Sequence, residues 1–218
     1  MNIPDEFDNV LKIIILGDSK VGKTNFLHQF LQETYTESPS PTEGFDYKSH
    51  ILTLPDSSKI KLQIWDTVGL EKYMVINRSL LLKVQGIILM YDITHIKTFE
   101  SINKWIEYIK EVNEDAPIIL VANKCDLDNE RMVIVQKGIE LAEKHGISFV
   151  EASAKDNKNV EKTFVKLSQD ILTNVLNKNP NLNPNDDDQM FGNISFRESF
   201  LYEGEKQKFK CPKYCIIL

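Results

Sequence analysis

Eight consecutive residues, Gly17-Asp18-Ser19-Lys20-Val21-Gly22-Lys23-Thr24, place two glycines, a lysine and a hydroxyl in the spacing G-x-x-x-x-G-K-[ST]. That spacing serves the holding of phosphate. A loop of this length curls until its backbone N–H groups and the amino end of the following helix converge on phosphate oxygens. Gly22 lets the backbone approach closely, Lys23 adds a point charge, and the Thr24 hydroxyl can ligate Mg²⁺. Ser19, Lys20, Val21 and Asn25 complete the candidate phosphate contacts.

Such a loop must join a strand to a helix, and the flanking patterns supply both. Residues 11–16 form an apolar run typical of a buried strand, and 24–31 carry Phe26, Leu27, Phe30 and Leu31 on one helical face. Downstream, 47–54 and 59–65 flank the turn cluster Pro55-Asp56-Ser57-Ser58 and read as an antiparallel hairpin. Residues 86–91 and 117–122 read as further buried strands. Between them Phe99, Ile102, Ile106, Ile109 and Val112 recur at three- and four-residue steps, which predicts an amphipathic helix. Another helix is expected over 135–145, stopped by Gly146, and a last one is marked by Val160, Phe164, Leu167, Ile171 and Val175. This alternation predicts a doubly wound, mostly parallel α/β sheet of six strands with about five helices. Beyond residue 176, the Asn, Pro and Asp of 177–189 offer little to bury, so a mobile linker is expected there.

The chain has 218 residues, enough for one domain and a tail but not for two full domains. Its net charge is -6 at pH 7, which argues against nucleic acid as a partner. Three cysteines, Cys125, Cys211 and Cys215, make no disulfide framework and suit a reducing compartment. Asp5, Glu6 and Asp8 stand where a secretory signal would be basic, and no apolar run is long enough to span a bilayer. His28, His50, His95 and His145 show no ligand spacing, and Cys125 reads as an inert buried thiol.

Three further motifs follow the loop in order: Asp66-Thr67-Val68-Gly69, Asn123-Lys124-Cys125-Asp126 and Ser153-Ala154-Lys155. Together with the loop they resemble the motif set of small Ras-superfamily GTPases, over about residues 8–177, and the resemblance implies a P-loop NTPase fold with 178–218 as a flexible tail. An Asp126 carboxylate, acceptor-only, would pair with the N1–H and amino group that guanine presents and adenine lacks. By resemblance, Asn123 braces the loop, Lys124 lies along the base, the Ala154 N–H meets the guanine oxygen, and Tyr35 stacks from the far side. Asp66 holds Mg²⁺ through water, Thr42 binds it only when the γ-phosphate is present, and the Gly69 N–H meets that phosphate. The last two contacts differ between GTP and GDP states, and only such contacts move a conformational equilibrium. Lys23, Thr42 and Gly69 are thus the expected catalytic set.

Leu70 stands where the family carries the glutamine that orients the attacking water, so slow intrinsic hydrolysis and a mostly GTP-bound protein are expected. Val68 replaces an alanine and crowds the γ-phosphate side, and Lys20, where such loops commonly have glycine, either adds positive potential at the phosphates or, as the favoured reading, points into solvent. Within the superfamily the resemblance is to Rab proteins, through Lys61-Leu62-Gln63-Ile64-Trp65-Asp66-Thr67 and Tyr91-Asp92-Ile93-Thr94. It implies a vesicle-traffic switch with effectors, an exchange factor and an activating protein, of the TBC kind if a glutamine is supplied in trans. Trp105 reads as packing, whereas Trp65 has the better claim to face an effector. Cys215-Ile216-Ile217-Leu218 reads as a C-a-a-X box favouring geranylgeranyl on Cys215. Lys206, Lys208, Lys210 and Lys213 add an electrostatic anchor at the cytosolic face of an endomembrane or the plasma membrane, and Cys211 could take an acyl chain. Two rivals remain open: a GTP-locked binding module that recruits effectors without turnover, and an ATP-using phosphotransferase, against which Asp126 argues.

Overall fold

The computed structural model describes Phe7 and residues 9–32, 45–67, 74–178 and 216–217. Strand β1 (Asn9–Gly17) is central, pairing in parallel with β3 (Lys59–Thr67) on one side and β4 (Gly86–Asp92) on the other. β2 (Phe45–Thr53) lies antiparallel to β3, as the Pro55-Asp56-Ser57-Ser58 turn predicts. β5 (Ile118–Asn123) and β6 (Ser148–Glu151) extend the parallel part beyond β4.

Alternation along β1 explains why its sequence is apolar almost throughout. Leu11, Ile13 and Ile15 face one side, with α1 (Lys23–Phe30) and α6 (Val160–Lys178); Ile14 and Leu16 face the other, with α2 (Met74–Leu81), α4 (Ile102–Val112) and α5 (Val135–His145). A strand covered by helices on both faces has no polar side to show in its sequence. On the first face Phe164 stacks on Phe30, ring centroids 3.7 Å apart, and lies 5.9 Å from Phe26, tying α6 to α1.

The structure refines the sequence expectations at three places. The helix expected across 99–112 is divided into α3 (Ile96–Glu100) and α4 at Ser101, whose hydroxyl turns to bond outside its own helix. That division, with α2, gives six α-helices among the described residues, and a 3₁₀ segment spans Cys125–Glu130. Ile216 and Ile217, assigned from sequence to a disordered tail, instead form β7, a two-residue strand parallel to Phe149 and Val150 of β6. An edge strand offers unpaired N–H and C=O groups, and an aliphatic pair fits against it. Gly146 ends α5 in the left-handed conformation expected of it, at φ 68.

No described helix is long and apolar enough to cross a membrane. Because Phe164 is fully buried between two rings, Phe164→Ala should cost about 3–5 kcal/mol of stability. Urea unfolding checks this: the midpoint falls with an unchanged slope, and an unaltered midpoint contradicts the packing described.

Candidate functional site

The carboxyl ends of β1, β3, β4, β5 and β6 lie along one rim of the sheet, and β1 sits between β3 and β4, the point where strand order reverses. Open parallel sheets hold ligands at such a point. All the described motif residues meet there. The phosphate-loop residues leave the end of β1, Asp66 lies near the end of β3, Asn123 and Lys124 leave β5, and Ser153 and Ala154 follow β6.

Two glycines set the course of the loop. Gly17 has φ 138, and a Cβ there would stand 2.3 Å from the Met90 carbonyl oxygen of the neighbouring strand. Gly22, at φ 96, caps α1; a Cβ there would stand 2.5 Å from the side-chain nitrogen of Asn123. Both are positions an L side chain rarely adopts. The close approach at Gly22 is thus to Asn123 as well as to any phosphate. Ser19 and Lys20 are exposed, while Val21, Lys23 and Asn25 are buried. The Lys23 ammonium donates to the carbonyls of Gly17 at 2.9 Å and Asp18 at 2.8 Å, which places it across the mouth of the loop.

The Thr24 hydroxyl donates to Asp66 Oδ2 at 2.6 Å, and Asp66 is almost wholly buried. A hydroxyl and a carboxylate meeting beside a lysine and helix-end N–H groups form an all-oxygen pair suited to a hard cation such as Mg²⁺. Among the described residues no group of three or more His, Cys, Asp or Glu side chains could hold a metal, so a Mg²⁺ ion here needs phosphate and water oxygens as well.

Asn123 joins three segments. Its Nδ2 donates to the Val21 carbonyl at 2.8 Å and its Oδ1 accepts from the Ala154 N–H at 3.3 Å. Asp126 is held by the Ser153 hydroxyl at 2.7 Å, leaving it half-exposed beside these loops, and Lys155 is exposed. Lys124, in the left-handed conformation at φ 69, reaches back to Asp92 Oδ2 at 2.6 Å. The Asp92 contact had no signal in the spacing of motifs, because its partner lies on a different strand. Also missed was the use of Trp105. Buried in α4, it donates through Nε1 to Asp18 Oδ1 at 2.8 Å, so it is packing and polar partner at once. Trp65 is half-buried against Tyr47, ring centroids 5.0 Å apart, and the pair forms an aromatic surface on the β2–β3 hairpin. Tyr35, Thr42, Val68, Gly69, Leu70, Cys211, Cys215 and the four tail lysines lie outside the described residues.

Cys125 is half-buried where full burial was expected, and that burial still pushes its thiol up, against the lowering effect of Lys158. A raised thiol carries less thiolate, the reactive form. Iodoacetamide at neutral pH should therefore modify Cys125 several-fold more slowly than a free cysteine peptide, and faster as pH rises. Peptide mass spectrometry reads the rate; equal rates contradict the environment described.

The family model described as "Ras family" matches residues 12–173. Ras-related protein Rab-10 of Diplobatis ommata is 43% identical over 175 residues, 80% of this chain and 87% of that protein. Ras-related protein Rab-3 of Caenorhabditis elegans is 41% identical over 186 residues, 83% of this chain and 84% of that protein. Human Ras-related protein Rab-3A is 44% identical over 162 residues, 74% of this chain and 73% of that protein. With its phosphate loop, base loop and Thr24–Asp66 pair gathered on one sheet rim, the chain belongs to the Ras family and is a Rab-like small GTPase, an enzyme that hydrolyses GTP to GDP and phosphate.

Proposed function

We propose that this GTPase is a switch in vesicle traffic that holds guanine nucleotide with Mg²⁺, hydrolyses GTP slowly, and spends most of its time in the GTP state. Leu70, at the position of the family's water-orienting glutamine, carries the reading of slow turnover. A leucine side chain neither donates nor accepts a hydrogen bond, so it cannot align water with the γ-phosphate.

Guanine is read by the Asp126 carboxylate, which the Ser153 hydroxyl orients, and by the Ala154 N–H beside Asn123. Lys124 lies along the base and Tyr35 closes its far side. Backbone N–H groups of 19–25 and the Lys23 ammonium hold the phosphates. Thr24, Thr42 and, through water, Asp66 are the residues that would hold Mg²⁺, which when bound neutralises charge on the β- and γ-phosphate oxygens. The Gly69 N–H and Thr42 respond to the γ-phosphate and so distinguish the two nucleotide states.

Phosphoryl transfer depends on positioning and electrostatics, so loss of one orienting group slows the chemical step while leaving affinity intact. A TBC-type activating protein can bring both an arginine and a glutamine in trans and would restore turnover. Geranylgeranyl on Cys215, with Lys206, Lys208, Lys210 and Lys213 against an anionic leaflet, attaches the protein to a membrane; two such signals together give stable binding.

Calorimetric titration tests the base preference: GTP gives a large heat and ATP none, and equal heats would overturn the guanine reading. Single-turnover phosphate release from GTP-loaded protein tests the switch reading. Leu70→Gln should raise the rate about ten-fold or more without changing GTP affinity. Equal rates remove the role given to Leu70. The nucleotide that co-purifies separates the remaining alternative, since triphosphate alone favours a locked effector-recruiting module and a diphosphate fraction an operating cycle.

A further inference from the structure

The Asp18 side chain has no part in the phosphate chemistry described above, yet it is buried at the second position of the loop. The Lys23 ammonium bonds the backbone carbonyls of Gly17 and Asp18. Asp18 Oδ1 accepts from Trp105 Nε1 at 2.8 Å and Oδ2 from Ser101 Oγ at 2.5 Å. A negative group beside a phosphate site opposes the ligand electrostatically, so its use must be mechanical. Both oxygens are occupied by neutral donors, which offsets the cost of burying them.

We propose that Asp18, clamped by Trp105 and Ser101, is a positioning residue that holds the phosphate loop in its binding shape. The inference rests on the nucleotide reading given above. The loop has a pivot at each end, Gly17 and Gly22, both at positive φ. Asn123 pegs the far end through the Val21 carbonyl, and the Asp18 clamp pegs the near end to the α3–α4 junction. That junction is itself fixed: Thr98 Oγ1 of α3 accepts from the Asp92 N–H at 3.0 Å, and Asp92 holds Lys124. Phosphate and base loops are thus tied to one short helix. A loop ordered before the ligand arrives loses less entropy on binding.

Trp105→Phe keeps an aromatic ring, smaller than the indole, and deletes the N–H; Ser101→Ala deletes the hydroxyl at a half-exposed helix junction. Dissociation of a fluorescent GDP analogue from full-length protein should accelerate about ten-fold or more in the double variant. The clamp acts where the β-phosphate is held, so GDP affinity should fall more than GMP affinity. Ser101→Thr in the otherwise parental protein, which keeps the hydroxyl and the Trp105 N–H, should leave the parental rate unchanged. A tryptophan that only packs would lower the melting temperature and leave the rate and the GDP-to-GMP ratio unchanged, and that result overturns the clamp. Parental protein that binds no GDP overturns the nucleotide reading and the clamp together, whereas tight parental binding with unchanged variants overturns the clamp alone.

Discussion

A single buried amide, that of Asn123, fixes the relation between loops that leave three different strands. It takes the Val21 carbonyl with one end and the Ala154 N–H with the other, across 102 and 31 residues of chain. Neither partner belongs to a helix or a strand, and the amide gives each a hydrogen bond in a buried place. The geometry also explains Gly22. Its missing side chain leaves the space in which the Asn123 nitrogen sits, so two residues a hundred positions apart are chosen jointly. Were that amide absent, the phosphate loop and the base loops would each keep its local shape and lose the distance between them, which is the quantity a nucleotide measures.

Around this amide the charges of the rim are paired with polar groups of the chain. Lys23 bonds loop carbonyls, Thr24 bonds Asp66, and Lys124 bonds Asp92. Pairing of this kind keeps buried charge tolerable and holds each side chain near its working position.

The legible parts of the sequence were those whose cause is local. The run 11–16 reads as a strand because helices cover both of its faces, and Gly146 reads as a helix end because its φ of 68 favours glycine. The phosphate loop is legible because its glycines answer to backbone geometry within the motif. What stayed hidden was decided by distant partners. Ser101 lies in an unbroken helical pattern, and at the point where the helix divides its hydroxyl reaches both the Thr98 carbonyl and a carboxylate 83 residues away. Trp105 has the spacing of a core residue and is one, and nothing near it in the chain reveals the bond to Asp18, 87 residues back. β7 was missed for a similar reason, because Ile216 and Ile217 are strand only by virtue of the β6 edge beside them.

The division between rim and switch has an energetic consequence. In the proposed reading, contacts from the phosphate-loop N–H groups, Asp126 and Ala154 reach the base and the inner phosphates, which GTP and GDP share. Contacts that are equal in two states raise affinity for both and move the balance between them not at all. The whole preference for one conformation must then come from the few groups that meet the γ-phosphate, Thr42 and Gly69. In the same proposed reading Leu70 acts on a third quantity, the rate at which that phosphate is lost. On the proposed assignment, affinity, conformational preference and lifetime are set by separate residues, and a change at residue 70 alters the lifetime while the affinity and the two shapes stay as they were.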